Sequence, residues 1–282
     1  MVLIIFILFD SVILECYADC LLTDDLQFGF KRGMGCTNAI FSLRTTIDHF
    51  TSRGGSIYAA ALDIRKAFDT VHHFKLFKNL ITSGMPKCLV AILMSWYSTL
   101  EIIVRWNMSF SKSLHVGSGV RQGGVLSPSL FNIFINSMIV NLRKLNQGCH
   151  INNTFLGCCM YADDLIVLSA SLGGLQKMLD QCVETCNMLS LQFNAKKSNC
   201  IYLGPKINLK LDNLRLGFEQ ISWSDSMKYL GITFVNEKHL SVDIGPIRRK
   251  FFIACNSLLS NSSNLNELSL CVIYIVLFYC GY

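Results

Sequence analysis

The sequence predicts an α+β fold, an antiparallel sheet with packed helices, on three observations. Short β-prone apolar runs and amphipathic helical runs alternate irregularly, without the regular strand–helix succession of a doubly wound parallel sheet. Two apolar runs, residues 157–160 and 165–168, are separated only by a tight polar turn and read as a hairpin. The chain has four prolines and neither a repeat nor a Gly/Ser-rich linker, so its 282 residues suit one large domain or two modest ones.

The elements follow in order. Gln27–Thr37 (QFGFKRGMGCT) is a glycine-studded basic loop leading into a helix over Asn38–Phe50. Gly54-Gly55 turns the chain into a short apolar strand, Ile57–Leu62, which ends at Asp63. The residues from Ala67 to Leu80 have helical periodicity, and Pro86 opens another helix that runs to about Leu100. Glu101–Arg105 and Leu114–Val116 read as a strand pair. Ser127-Pro128 is a helix start, serine at the N-cap and proline at the first helical position. An i, i+3, i+4 stripe of Phe131, Phe134, Ile135, Met138 and Leu142 follows it. Beyond the hairpin come a helix over Leu175–Leu189, strands at Ser198–Leu203 and Met227–Phe234, and a basic-fronted helix over Ile247–Leu259.

The chain is 51% apolar and 16% charged, with mean hydropathy +0.41. Met1–Phe9 and Leu268–Tyr282 contribute to this, but both fall short of the ~17–20 apolar residues of a membrane-spanning helix. They read as core segments or chain ends, with no membrane partner expected. All 25 basic side chains lie beyond residue 30, against 14 of the 19 acids. Such a basic body favours a polyanionic partner. The thirteen cysteines contain no C-x-x-C pair and many sit in apolar runs, which suits reduced core thiols of an intracellular protein that is not secreted.

The chemistry centres on Tyr161-Ala162-Asp163-Asp164, two adjacent carboxylates flanked on both sides by apolar residues. A buried carboxylate without a partner is costly, and a like-charged neighbour adds to the cost. At a hairpin tip the pair can meet a cation. Asp63 ends a strand 100 residues earlier and can converge on the same point. Carboxylate clusters suit magnesium, a hard cation that keeps room in its shell for water and phosphate. Two such ions stabilise both the attacking and the leaving oxygens in phosphoryl transfer.

Six segments in order carry a resemblance. QFGFKRG, LDIRKAFDTV, GVRQGGVLSPSLFNIFIN, MYADDLIVLS, FNAKKS and KYLGI, between Gln27 and Ile232, resemble the fingers loop and motifs A to E of the reverse transcriptase domain of non-LTR (LINE-type) retrotransposons. The resemblance implies a right-hand polymerase palm with partial fingers and a truncated thumb over residues 10–260, followed by an apolar tail over 261–282. It implies an RNA-directed DNA polymerase that adds dNTPs to a DNA primer on an RNA template, in nucleus or cytoplasm, with no defined protein partner. The alternative is a catalytically silent nucleic-acid-binding remnant.

Carried over by residue, the resemblance implies that Asp63, Asp163, Asp164 and the Ile64 carbonyl hold two Mg2+ ions, with Mn2+ as a substitute. Phe68 is then the aromatic gate against a 2′-hydroxyl. Arg121, Gln122 and Lys197 serve the nucleotide and its pyrophosphate. Lys31, Arg32, Gly123, Tyr229, Leu230 and Gly231 serve the primer and template.

Overall fold

In the computed structural model, which describes residues 2–121, 123–205, 211–236 and 240–261, the chain opens with helix α1 (Val2–Cys16). This helix reaches back ahead of residue 10, and its Ile13 is buried in the core. Helix α2 (Cys36–Thr51) follows the glycine-studded loop, capped where the Asn38 side chain accepts from the Gly35 amide. Strand β1 (Ile57–Leu62) matches the expected strand. Helices α3 (His73–Thr82) and α4 (Lys87–Ser98) lead to four two-residue strands, β2 (Glu101–Ile102), β3 (Arg105–Trp106), β4 (Ser109–Phe110) and β5 (Leu114–His115). β2 pairs with β5 as expected, and the β3–β4 hairpin extends it outward.

Helices α5 (Ser127–Ile135) and α6 (Ser137–Lys144) precede a small hairpin, β6 (His150–Ile151) and β7 (Thr154–Phe155). The acidic hairpin is β8 (Cys158–Tyr161) and β9 (Asp164–Ser169). Helix α7 (Leu172–Leu189) and strands β10 (Asn199–Leu203), β11 (Leu214–Leu216) and β12 (Glu219–Trp223) come next. Then follow β13 (Ser226–Tyr229), β14 (Ile232–Asn236), β15 (Leu240–Asp243) and helix α8 (Gly245–Asn261).

Six strands form the main sheet in the order β11-β12-β10-β1-β9-β8. Its pairs are antiparallel except β10–β12. β1 lies in the middle, and both of its faces are covered. Ala60 and Leu62 face a core built from helices α3 to α7, while Ile57 and Ala59 face a second core with α2 and the β13–β14 hairpin. Coverage on both faces explains why β8 and β9 read as continuous apolar runs rather than alternating ones. Among the described residues, no helix is long and apolar enough to cross a membrane.

Four expectations change. Ala67–Val71 is a turn, and α3 starts only at His73. The Phe68 and Val71 carbonyls accept from the Val120 and Gly119 amides, and the Asp69 carbonyl from the Ser118 hydroxyl, so they cannot feed a helix. Ser127 is not the cap: its hydroxyl donates to the Arg121 carbonyl, and α5 begins from Leu126. The striped helix breaks at Asn136, whose side chain accepts from the Asp24 amide while Asn79 donates to the Phe134 carbonyl. Met227–Phe234 is not one strand but a tight hairpin that turns at Leu230 (φ 47°) and Gly231 (φ 82°). The apolar tail from residue 262 lies outside the described residues.

Small residues at the centre of β1 let two cores close on one strand. Ala60 has no exposed surface. Ala60→Leu is expected to overpack this site and destabilise the fold by about 1–3 kcal/mol, measured as a lowered denaturation midpoint at unchanged slope.

Candidate active site

The turn between β8 and β9 has only two residues, Ala162 and Asp163, with Tyr161 opposite Asp164. Ala162 sits at φ 56°, a left-handed conformation that is uncommon outside glycine. It is braced by Gln27, which is 1% exposed. The Ala162 amide donates to Gln27 Oε1 at 2.9 Å, and Gln27 Nε2 donates to the Ala162 carbonyl at 3.3 Å. Gln27 Oε1 also accepts from the Gly29 amide at 3.0 Å. A Cβ on Gly29 would lie 2.5 Å from the Ala162 nitrogen, so the loop can approach this turn only as glycine. From the sequence QFGFKRG reads as a basic loop, and the role of Gln27 as the brace of the acidic turn emerges only in the structure. The loop's glutamine beside a close-approach glycine was the available signal.

Asp63 reaches the same place from β1. In the β1–β9 ladder Leu62 faces Leu165 and Ala61 faces Ile166. One more step in this register puts Asp63 opposite Asp164, and side chains so paired share one face of the sheet, with Cβ atoms about 4.5–5.5 Å apart. The FNAKKS segment is laced to the strand end. The Asn194 amide donates to the Asp63 carbonyl at 2.8 Å, the Asp63 amide to Ser198 Oγ at 3.2 Å, and the Arg65 amide to the Gln192 carbonyl at 2.8 Å. Ile64, 3% exposed, pairs with Phe193.

Two clefts meet at Asp63. One, of about 800 Å³, is lined by Asp63, Phe68, Asp163, Asn194 and Lys197 among others. The other, of about 470 Å³, is lined by Asp63, Asp164, Lys197, Lys228 and the Tyr229-Leu230-Gly231 turn. Asp63 and exposed Lys197 therefore belong to both. Phe68 stacks on buried Phe131 at 4.3 Å and meets the edge of Phe30 at 6.4 Å, so its ring forms a fixed wall of the larger cleft. Tyr229 gives only its backbone neighbourhood to the smaller cleft. Its ring is buried, its hydroxyl lies 3.4 Å from Cys159 Sγ, and burial pushes its pKa well up.

Other expected residues lie elsewhere. Arg121 turns away from both clefts and pairs with Asp10 at 3.1 Å, its guanidinium 4.9 Å from the Phe6 ring centre. Lys31 donates to the backbone carbonyls of Thr23 (3.0 Å) and Asp24 (2.6 Å), and burial lowers its pKa. An ammonium so engaged is a structural brace before it is a phosphate contact. Arg32 is exposed, Gly123 sits in a turn at φ 78°, and Gln122 lies outside the described residues.

The electrostatics of the acidic cluster follow from its placement. The Asp163 pKa is raised by burial and then by the Asp63 charge. The Asp164 pKa is raised by burial, then by Asp163 and Asp63. Closely spaced carboxylate oxygens are a fitting donor set for a hard divalent cation. Among the described residues, no three His, Cys, Asp or Glu side chains stand close enough to hold a metal ion without moving.

The sign of the pH effect is fixed by these raised values. An aspartate whose folded pKa exceeds its unfolded one does not oppose folding below the unfolded value. Its penalty grows as pH rises from the unfolded value and is complete only above the folded one. With divalent ions chelated, Asp163→Asn is expected to melt above the parent at pH 7. The gap should close below about pH 4, near the unfolded aspartate pKa. Thermal melts at the two pH values check this, and an equal gap at both would remove the charge explanation.

Comparison with known proteins agrees with this geometry. Residues 11–234 match the family model described as reverse transcriptase (RNA-dependent DNA polymerase). The chain is 29% identical over 237 residues to the retrovirus-related Pol polyprotein from the type-2 retrotransposable element R2DM of Drosophila melanogaster, covering 79% of this chain and 22% of that protein. It is 32% identical over 217 residues to the transposon TX1 uncharacterized 149 kDa protein of Xenopus laevis, covering 75% and 16%. The chain thus spans about a fifth of the length of these relatives. In fold it is similar to telomerase from Candida tropicalis in complex with a TWJ fragment of telomeric RNA. The TM-score is 0.61 at 12% identity, over 96% of this chain and 45% of that one. The fold is that of a polymerase palm, and the chain belongs to the reverse transcriptase family, among those of non-LTR retrotransposable elements.

Proposed function

We propose that this chain is a template-directed nucleotidyl transferase that extends a DNA primer on an RNA template with dNTPs. The observation that carries the reading is the meeting of two clefts at Asp63, with Asp163 on one side, Asp164 on the other and Lys197 in both. A two-sided site suits two substrates. In this reading the cleft walled by Phe68 takes the incoming nucleotide, and the cleft edged by the Leu230-Gly231 turn takes the primer end.

Asp63, Asp163 and Asp164, with the Ile64 carbonyl, would hold two divalent cations, magnesium or manganese, whose charge favours the ionised primer hydroxyl and the departing pyrophosphate. The protein does the rest. The register of β1 and β9 fixes where the carboxylates stand. Phe68, held from behind by Phe131, lies under the sugar and excludes a 2′-hydroxyl. Lys197 offers an ammonium to the leaving pyrophosphate as charge partner and proton donor. The Leu230-Gly231 turn supports the primer backbone, and exposed Arg32 adds a phosphate contact with little sequence preference.

Primer extension on an RNA template tests this reading. Asp63→Asn or Asp163→Asn should lower extension by about 10³-fold or more, the scale of losing charge stabilisation in a transition state, while the fold persists by circular dichroism. Phe68→Val should raise the ratio of ribonucleotide to deoxyribonucleotide incorporation by about tenfold or more. An unchanged ratio would return Phe68 to a packing role. Hybrid binding without extension in the parent chain would favour the silent-remnant alternative.

A further inference from the structure

The Asp10–Arg121 pair joins the first helix to the glycine-rich loop 111 residues away. Asp10 is 4% exposed, and its Oδ2 accepts from Arg121 Nη2 at 3.1 Å and from the Leu126 amide at 3.4 Å. Phe6, one helical turn earlier on α1, lies against the Arg121 guanidinium at 4.9 Å and meets Trp96 of α4 at 4.7 Å. The loop is also tied on its inner side, because Ser127 Oγ donates to the Arg121 carbonyl. A buried carboxylate held by a guanidinium and a backbone amide is a rigid junction, and removing one partner leaves a buried charge uncompensated.

The residues just before Arg121 are sewn to the turn that carries Phe68. The Val120 amide donates to the Phe68 carbonyl at 2.8 Å, the Gly119 amide to the Val71 carbonyl at 2.9 Å, and Ser118 Oγ to the Asp69 carbonyl at 3.1 Å. The His73 ring donates to the Gly119 carbonyl at 2.8 Å. Gly119 has φ 94°, and a Cβ there would lie 2.9 Å from the Asp69 carbonyl oxygen, so the two segments touch along their backbones. A displacement of Arg121 is therefore passed to Val120 and on to Phe68.

We infer that Asp10 is a positioning residue for the nucleotide cleft: by anchoring Arg121 it fixes residues 118–121, and through them the turn that holds Phe68. The inference rests on the polymerase reading for its kinetic consequence, but not for its structural one. The carboxylates Asp63, Asp163 and Asp164 are placed by the β1–β9 and β8–β9 registers, in which Asp10 takes no part. Loosening Asp10 should therefore disturb how a nucleotide is held and leave the acidic cluster in place. Interactions common to ground and transition states appear in KM, and this is where the effect belongs.

The test uses the full chain and two readouts. In primer extension Asp10→Asn should raise the KM for dNTP about tenfold and keep kcat within about twofold; Asp10→Glu, which keeps the carboxylate, should recover most of the loss. By hydrogen exchange, Asp10→Asn should speed exchange at the amides of 119–120 and at 69–70 of the Phe68 turn, with β1 and β9 unchanged. If Asp10→Asn does not fold, Arg121→Lys, which keeps the charge but loses the planar fork, should give the same split. Unchanged KM and unchanged loop exchange, with only a lower melting temperature, would make Asp10 an anchor for α1 alone and overturn the inference. Uniform loss of protection across the sheet would do the same. A parent chain that binds hybrid but adds no nucleotide would count against the polymerase reading, and loop exchange in Asp10→Asn would still decide the clamp.

Discussion

Three carboxylates from two distant segments stand at one end of a sheet, and keeping them there is the constraint on which the rest depends. Two unit charges 4 Å apart near a protein surface repel by about 4 kcal/mol. Each fully buried large aliphatic side chain returns about 1.5–3 kcal/mol. β1 and β9 bury Ile57, Leu62, Leu165, Ile166, Val167 and Leu168 between them. Burial on both faces of the sheet thus acts against the repulsion at its end. The two cores are what make an acidic cluster affordable at the end of this sheet.

Local strain gathers where the clefts are. Lys66 (φ 45°), in the Phe68 turn, and Leu230 (φ 47°), in the β13–β14 turn, line one cleft each. Ala162 (φ 56°) makes the acidic turn, and Phe30 (φ 56°) touches both Phe68 and Tyr161. Non-glycine residues persist in this region of backbone space only when their surroundings over-determine them. Three of these four positions have such surroundings: the Gln27 side-chain amide for Ala162, the Ser118–Val120 contacts for the Phe68 turn, and the β13–β14 ladder for Leu230. The site is rigid because its turns are held from outside, not because they are intrinsically favoured.

Much of this was legible in the sequence, and the gaps have a common cause. β1, the acidic hairpin and most helices follow from periodicity and turn composition, which are local properties. The family resemblance pointed to Asp63, Asp163, Phe68 and Lys197, and the structure brings these four around one cleft. What failed was decided at long range. Ala67–Val71 has a helical pattern, yet its carbonyls are taken by a loop some fifty residues away. Lys31 and Arg121 carry charges that suit a phosphate, but a sequence cannot say that one is spent on backbone carbonyls and the other on a carboxylate 111 residues earlier. Gln27 went unnoticed because its partner is the backbone of Ala162, and backbone partners leave no residue pattern to read.

The distribution of cysteines gives the molecule a built-in reporter of its own integrity. Among the described residues, Cys16, Cys36 and Cys88 are exposed, whereas Cys149, Cys158, Cys159, Cys182, Cys186, Cys200 and Cys255 are buried. Burial pushes the Cys149, Cys159, Cys186 and Cys200 thiols up to about 12, far from the reactive thiolate. Cys158 and Cys159 also point into opposite cores. An alkylating reagent thus meets a small fast class of thiols on the surface and a large silent class on both sides of the sheet. The rate at which the silent class becomes modified measures how often each core opens, core by core, with no engineered label.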